Sequence, residues 1–384
     1  MTSPKHLVIL WDYYQHYHYA RLAALEREAV AQGWRVTGLA AGLGGAARDN
    51  HRSSDAPPGP VPIVLGGAES DLYAAATVHA LTRTLDELQP TAVILPGYGS
   101  PVARAAVRWC RQHRRGAVMI IESQERDQPR RWWKEWIKRR IVRAADTVFC
   151  GGITHADYAA KLGMARDRIF SGYSAVDNQA WAAAATRALA QPSPASGPTF
   201  VAVGRFIAKK NFVGLINAFA QFKRTPGHQA WQLALVGAGP ERAALESAIR
   251  SHGLERDVLL PGYANLEETA NWLAHASAFV LPSAQAEQWG LVVNEAMACG
   301  LPVVVSRVCG CVEDLVEDGS TGFRFDPGDT GRLAEILTEI ADDPILRARL
   351  GAAARVRVDA FSLDQFARQA FHAALRAVDH AATR

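Results

Sequence analysis

Short apolar runs alternate with amphipathic stretches along most of the chain. Residues 7–10 (LVIL) form an apolar run of strand length, and 19–32 carry Leu22, Leu25 and Val30 near helical spacing. A second strand is predicted at 36–39, a Gly/Pro-rich loop at 41–60, a helix at 72–88 and a strand at 92–95. A helix at 101–113 and a strand at 117–121 continue the alternation. Strands separated by helices of ten or more residues imply βαβ units and a parallel sheet.

The pattern breaks at 191–198 (QPSPASGP), a linker by composition, and then restarts. Strands are predicted at 199–203, 233–236, 258–260, 278–281 and 302–306. Helices are predicted at 213–221, 241–252, 267–276 and 291–299. A last helix at 362–382 carries Phe366, Phe371, Leu375 and Val378. The chain therefore divides into two Rossmann-like α/β domains, 1–190 and 199–360, with the linker between them. Such domains bind ligands beyond the carboxyl ends of their strands, and two of them facing each other would make a cleft.

Composition narrows the class. The 384 residues are 49% hydrophobic and 21% charged, as in a soluble globular protein, which argues against disorder and against a membrane-spanning bundle. No run approaches the ~18–20 apolar residues of a spanning helix, and the run at 7–10 is too short for a signal peptide. Five cysteines in a chain this long are no disulfide framework, and no His/Cys cluster completes a zinc site. Reduced cysteines and a cytoplasmic protein are expected. The formal charge of +4 is unevenly placed: residues 1–190 hold 24 Lys and Arg against 17 Asp and Glu, and 191–384 hold 18 against 21.

Three segments of the second half carry chemistry. In VGRFIAKKN (203–211) Arg205 and Lys210 leave a strand end together, and a guanidinium fork beside an ammonium suits a diphosphate. In LVGAGPE (235–241) the G-x-G lacks the third glycine of a dinucleotide site, so it reads as a tight turn. The segment from Pro282 to Val304 contains Glu287 and Glu295. Eight helical steps would set the two glutamates about 80° apart, so Glu287 is placed in a loop and Glu295 inside the helix that follows. The helix start near Gly290 then offers free N–H groups to a phosphate, with the two carboxylates accepting from sugar and ribose hydroxyls.

Together with LLPGY (259–263) and CGCVEDLVEDGSTGFRF (309–325), these segments resemble the retaining glycosyltransferases of family four, which have the GT-B fold. The resemblance covers about 199–330 strongly and the first half more weakly. It implies that Arg205 and Lys210 hold the donor diphosphate and stabilise it as it leaves, and that Glu287 lies near the transferred sugar. It implies that Glu295 holds the ribose, that Gly290 and Leu291 approach the phosphates through their backbone, and that Gly262 and Tyr263 border the base. It also implies a nucleotide-diphosphate sugar as donor, no metal or other cofactor, and a last helix over 361–384 that crosses back to the first domain.

The first half departs from the family pattern. A Gly-Gly loop common after the first strand is replaced by residues 11–18 (WDYYQHYH), and a His common after the strand ending near Ile121 is replaced by Glu122-Ser123. Glu122 either substitutes for that His or caps structure, and His18 either contacts a substrate or packs. Residues 130–143 (RRWWKEWIKRRIVR) hold most of the excess positive charge, with Trp133, Ile137 and Ile141 four residues apart. This segment either lies on anionic lipid or is a domain helix with its tryptophans in the core. One short cluster does not suit nucleic acid. The acceptor is expected to be a glycan or lipid-linked hydroxyl. A sugar-nucleotide hydrolase or epimerase, and a non-catalytic sugar- or lipid-binding protein, are the alternatives.

Overall fold

A computed structural model describes residues 5–42, 60–66 and 74–384. Most of the Gly/Pro-rich loop predicted at 41–60, and the first residues of the helix predicted at 72–88, lie outside them. The chain divides into two compact units, one of residues 1–176 with 361–384 and one of 177–360.

The first unit is built on a seven-stranded parallel sheet. Its strands are β1 (Lys5–Trp11), β2 (Trp34–Ala40), β3 (Ile63–Val64), β4 (Ala92–Leu95), β5 (Gly116–Ile121), β6 (Thr147–Cys150) and β7 (Ile169–Ser171), in the order β3-β2-β1-β4-β5-β6-β7. Leu7 to Leu10 are fully buried, which is why an unbroken apolar run, rather than an alternating one, marks this strand. The helix after β1, α1 (His16–Ala31), starts three residues earlier than predicted. It buries Leu22 and Leu25 but leaves Val30 61% exposed, so Val30 is not part of the core stripe.

The helices α2 (Ala75–Leu88), α3 (Pro101–Gln112), α4 (Trp132–Val142) and α5 (Ile153–Lys161) follow in this unit. The second unit begins with α6 (Asn178–Ala188). It has a six-stranded parallel sheet of β8 (Thr199–Val203), β9 (Gln232–Val236), β10 (Val258–Gly262), β11 (Ala278–Leu281), β12 (Val303–Ser306) and β13 (Gly322–Phe325). The order is β10-β9-β8-β11-β12-β13. Between the strands run α7 (Phe212–Lys223), α8 (Arg242–His252), α9 (Leu266–His275), α10 (Leu291–Ala298) and the single turn α11 (Val312–Leu315). The helices α12 (Thr330–Asp342) and α13 (Pro344–Val358) follow β13. Phe200, Phe206, Phe219 and Phe222 fill the core of this unit with Leu235 and Val280.

One boundary differs from the compositional reading, and the one at 360/361 agrees with it. Residues 191–198 join α6 to β8 inside the second unit, because α6 packs on α9 and α10. The division falls instead at Val176/Asp177, and where the chain leaves again Asn178 Nδ2 donates to Val358 O at 3.0 Å. The last helix, α14 (Leu363–Ala382), belongs to the first unit, lying against α1 and β5. Ala370, Ala373, Ala374 and Ala377 are fully buried along it, and small side chains let the helix approach the sheet closely. Thr147 Oγ1 donates to Ala373 O, and the buried Asp146 carboxylate pairs with His380 and Arg384.

Candidate active site

Each sheet has one place where its strand order reverses. In the second unit this lies between β8 and β11, where crossovers leave on opposite sides and open a crevice at the carboxyl ends. Of the residues predicted to bind the donor, Lys210, Glu287, Gly290 and Glu295 come together there. Lys210 ends a short 3-10 turn after β8, and its Nζ meets Glu287 Oε2 at 2.8 Å. Glu287 sits in the loop after β11, bridged to Cys309, with its carbonyl accepting from Gly310 N at 2.9 Å. Burial pushes the Glu287 carboxyl up, but the charge and hydrogen bond of Lys210, with Lys209 at 3.8 Å and Ser283 Oγ at 3.2 Å, outweigh it. The group is held below its ordinary value and is a carboxylate at neutral pH.

The neighbouring loops are fastened backbone to backbone. Phe206 N donates to Ala238 O, Gly204 N to Val236 O, and Gly237 N to Gly262 O. A Cβ on Gly237 would stand 1.9 Å from Gly204 O, so the G-x-G serves close approach of two loops, at φ 147°. Arg205 projects from the fastened loop into solvent and makes no side-chain hydrogen bond or ion pair among the described residues. The structure therefore unites Lys210 with Glu287 and leaves Arg205 unengaged. Gly262 closes β10, and Tyr263 beside it is 43% exposed.

Gly290 caps α10 at φ 100°, where a Cβ would also meet Leu281 Cδ2 at 2.8 Å. Leu291 is the first residue of α10, so its N–H is among those the helix leaves unpaired. Glu295 lies one turn further on. Burial pushes its carboxyl up to about 7, opposed by the charge of Lys210. This raised value has a sign. Between about pH 4.5 and 7 the folded protein holds a proton that the unfolded chain has lost, so stability falls as pH rises through that window. Glu295→Gln is expected to remove that loss, by about 2–3 kcal/mol at pH 8. Urea unfolding at pH 5.5 and 8 checks it, and equal differences at both would overturn the assignment.

In the first unit the reversal lies between β1 and β4. Asp12, just past β1, accepts from Ser100 Oγ at 2.8 Å, and burial raises its carboxyl. His18 is buried, stacked on Trp11 at 4.6 Å, and its Nδ1 accepts from Gln15 N at 3.0 Å. Burial first, then the charges of Arg21 and His16, hold the imidazole well below its ordinary value against a hydrogen bond to the Tyr13 backbone, so it is neutral. The Glu122 side chain reaches solvent but is crowded by protein. The crowding raises its carboxyl, Arg21 opposes the rise and Asp12 adds to it.

Arg21, Lys209 and Ser283 were not singled out from the sequence. Arg21 is 1% exposed, donates twice to Ala175 O, and lies over the rings of Tyr17, Tyr173 and Phe366. Its clue was position, one helical turn after His18 on the helix that follows β1. Ser283 likewise stands two residues past the end of β11, and Lys209 adjoins Lys210.

The basic segment forms α4, and it does not bury its tryptophans. Trp132 is 82% exposed, Trp136 59% and Trp133 43%, with Ile137 exposed beside them. The core reading of this stripe is corrected: only Val142 of α4 is buried, and Glu135, held by Arg130, Lys138 and Tyr158, anchors the helix through polar contacts. Among the described residues no helix is long and apolar enough to cross a membrane.

Residues 20–179 match the family model Glycosyltransferase Family 4, and 188–357 match Glycosyl transferases group 1. The chain is 32% identical over 209 residues to the lipopolysaccharide core biosynthesis glycosyltransferase LpsE of Rhizobium meliloti (54% of this chain, 57% of that protein). It is 31% identical over 169 residues to a GDP-mannose-dependent monoacylated alpha-(1-6)-phosphatidylinositol monomannoside mannosyltransferase of Corynebacterium glutamicum (42% and 43%). The chain thus spans about half the length of these curated relatives. Anabaena HepE, solved in complex with UDP, superposes with a TM-score of 0.73 at 19% identity, covering 96% of this chain and 98% of that one. Two consecutive family matches, on two parallel sheets each reversing its strand order at the first strand, make this chain a member of the group 1, family 4 glycosyltransferases, with the GT-B fold.

Proposed function

We propose that the chain is a retaining, metal-independent glycosyltransferase. It takes a nucleotide-diphosphate sugar on the second unit and passes the sugar to a hydroxyl of a glycan or lipid-linked acceptor bound by the first. The observation that carries this reading is the Lys210–Glu287 pair at the strand-order reversal of the second sheet, beside the unpaired N–H groups of α10. Lys210, Arg205 and those N–H groups supply fixed positive charge where a departing diphosphate becomes more negative, which is the place where stabilisation accelerates the reaction. That charge fills the part a metal would play. Glu287, held ionised, supports the positive charge that grows at the anomeric carbon. Glu295 accepts from ribose hydroxyls, with Gly262 and Tyr263 beside the base.

On the first unit, Glu122 and Asp12 are the acceptors for substrate hydroxyls, and His18 shapes that site by packing. HepE with UDP supports a nucleotide donor. The names of LpsE and of the mannosyltransferase support polysaccharide or glycolipid assembly. The exposed tryptophans and cations of α4 support peripheral attachment to the cytoplasmic face of an anionic membrane, and the five free cysteines suit that compartment.

A thermal-shift screen of UDP, GDP, ADP and dTDP sugars is expected to pick out one donor series. With that donor and an acceptor, the product should keep the donor's anomeric configuration by NMR, undiminished by excess EDTA. An inverted product or loss of activity in EDTA would overturn the respective claim. Sugar release that ignores the acceptor would indicate a hydrolase, and donor binding without turnover a binding protein.

A further inference from the structure

An open recess of about 510 Å³ lies at the end of α4, lined by Arg111, Trp136, Arg139, Arg140, Arg143 and Ala144. Four guanidinium groups border one space. Among the described residues none of them has a carboxylate partner. Arg111 donates to Ala144 O at 3.3 Å, Arg139 to Lys161 O at 3.1 Å, and Arg140 lies over the Trp136 ring at 5.8 Å. Glu135, the acid of α4, is already taken by Arg130, Lys138 and Tyr158.

A structural cause accounts for part of this. Arg111 stands in the last turn of α3, Arg139 and Arg140 in the last turn of α4, and Arg143 caps α4, so each meets the negative end of a helix dipole. One or two cations per helix end would satisfy that dipole. Four around one recess repel one another, and Arg139–Arg143 and Arg140–Arg143 do so at helical-neighbour spacing. An anion in the recess would relieve the repulsion, and guanidinium forks match phosphate oxygens two at a time.

We propose that this recess seats the phosphate headgroup of an anionic lipid, while the adjoining Trp132, Trp133 and Trp136 enter the bilayer interface. The source is a lipid because Trp136 belongs both to the recess and to the exposed aromatic face, so a bilayer against that face brings its headgroups to the arginines. The inference rests on the membrane attachment proposed above and deepens it: α4 selects headgroup chemistry as well as charge.

Co-sedimentation with vesicles tests it. Three vesicle types are used: phosphatidylcholine alone, or mixed with phosphatidylserine or with phosphatidic acid at matched surface charge. Phosphatidic acid, whose phosphate is a terminal monoester, is expected to bind about tenfold tighter than phosphatidylserine. The combined Arg139→Lys, Arg140→Lys and Arg143→Lys variant keeps the charge and loses the forks, and should bind both anionic vesicles equally. Trp132→Ser with Trp133→Ser and Trp136→Ser should lose both; these side chains are exposed, so the fold is retained. Equal wild-type binding to the two anionic lipids, or a preference that survives the lysine variant, would overturn the headgroup site and leave membrane attachment standing. No binding to any vesicle would overturn both. Stabilisation by glycerol 3-phosphate that the lysine variant loses, without vesicle binding, would assign the recess to a soluble phosphate and overturn the lipid.

Discussion

Lys210→Ala is expected to lower the transfer rate by about 10²–10³-fold with the fold intact, the usual loss when one preorganised charge-stabilising donor is removed. Two things go at once. The ammonium that would meet the leaving diphosphate is lost, and so is the 2.8 Å partner of Glu287. Burial alone would raise the Glu287 carboxyl, and after the substitution only Lys209 and Ser283 oppose it. The carboxylate then needs a higher pH to stay ionised, so the acid limb of the pH–rate profile moves up. Lys210→Arg should restore part of the rate and return the limb toward its original place, because the charge is kept. Initial rates between pH 5 and 9 check both effects. An unchanged rate would remove the diphosphate role, and an unmoved limb would remove the pairing with Glu287.

Gly237→Ala is expected to cost on the order of 4 kcal/mol, among the largest single-site effects. The residue has φ 147°, and its Cβ would stand 1.9 Å from Gly204 O and 3.3 Å from the Phe206 ring. Neither the carbonyl nor the buried ring can yield, since Gly204 and Phe206 are themselves hydrogen-bonded to the loop that carries Gly237. Gly253→Ala is the control. It also has positive φ, at 66°, but nothing lies within 4 Å of the added atom. That variant should lose only about 1–2 kcal/mol. Urea unfolding of the two proteins separates backbone strain from collision, and equal losses would show that the loops can part. The donor-induced thermal shift should fall with Gly237→Ala and survive Gly253→Ala.

Most strands were legible as short apolar runs covered on both faces, but β6, an inner strand buried throughout, and β13 were not predicted from the sequence. Runs such as Val303–Ser306 are buried throughout and carry no alternation to mislead. The short strand β7 is different. Ile169 and Phe170 are only partly buried and Ser171 is exposed, and their sequence differs little from a loop. The candidate site was legible where it is local, since Arg205 and Lys210 share one segment. Its central contact was not, because Lys210 and Glu287 are 77 residues apart and meet only once β8 and β11 lie side by side. For α4, a stripe of Trp133, Ile137 and Ile141 looks the same whether it faces a core or solvent. Position in the fold decides, with Ile141 packed on the first core and the tryptophans turned to solvent. Proline-rich composition likewise marked a break in regular structure at 191–198, whereas the division between units follows the packing of α6.

The return of α14 to the first unit sets an order on synthesis. A ribosome delivers the sheet strands of the first unit early, yet Phe366, Phe371 and the alanine face that cover them come only with the last twenty or so residues. The second unit, by contrast, is one uninterrupted stretch from 177 to 360 and has all its parts beforehand. The nascent chain is thus expected to complete its later unit first, while the earlier one waits with an apolar sheet face uncovered. In the cell that interval is when chaperones would bind.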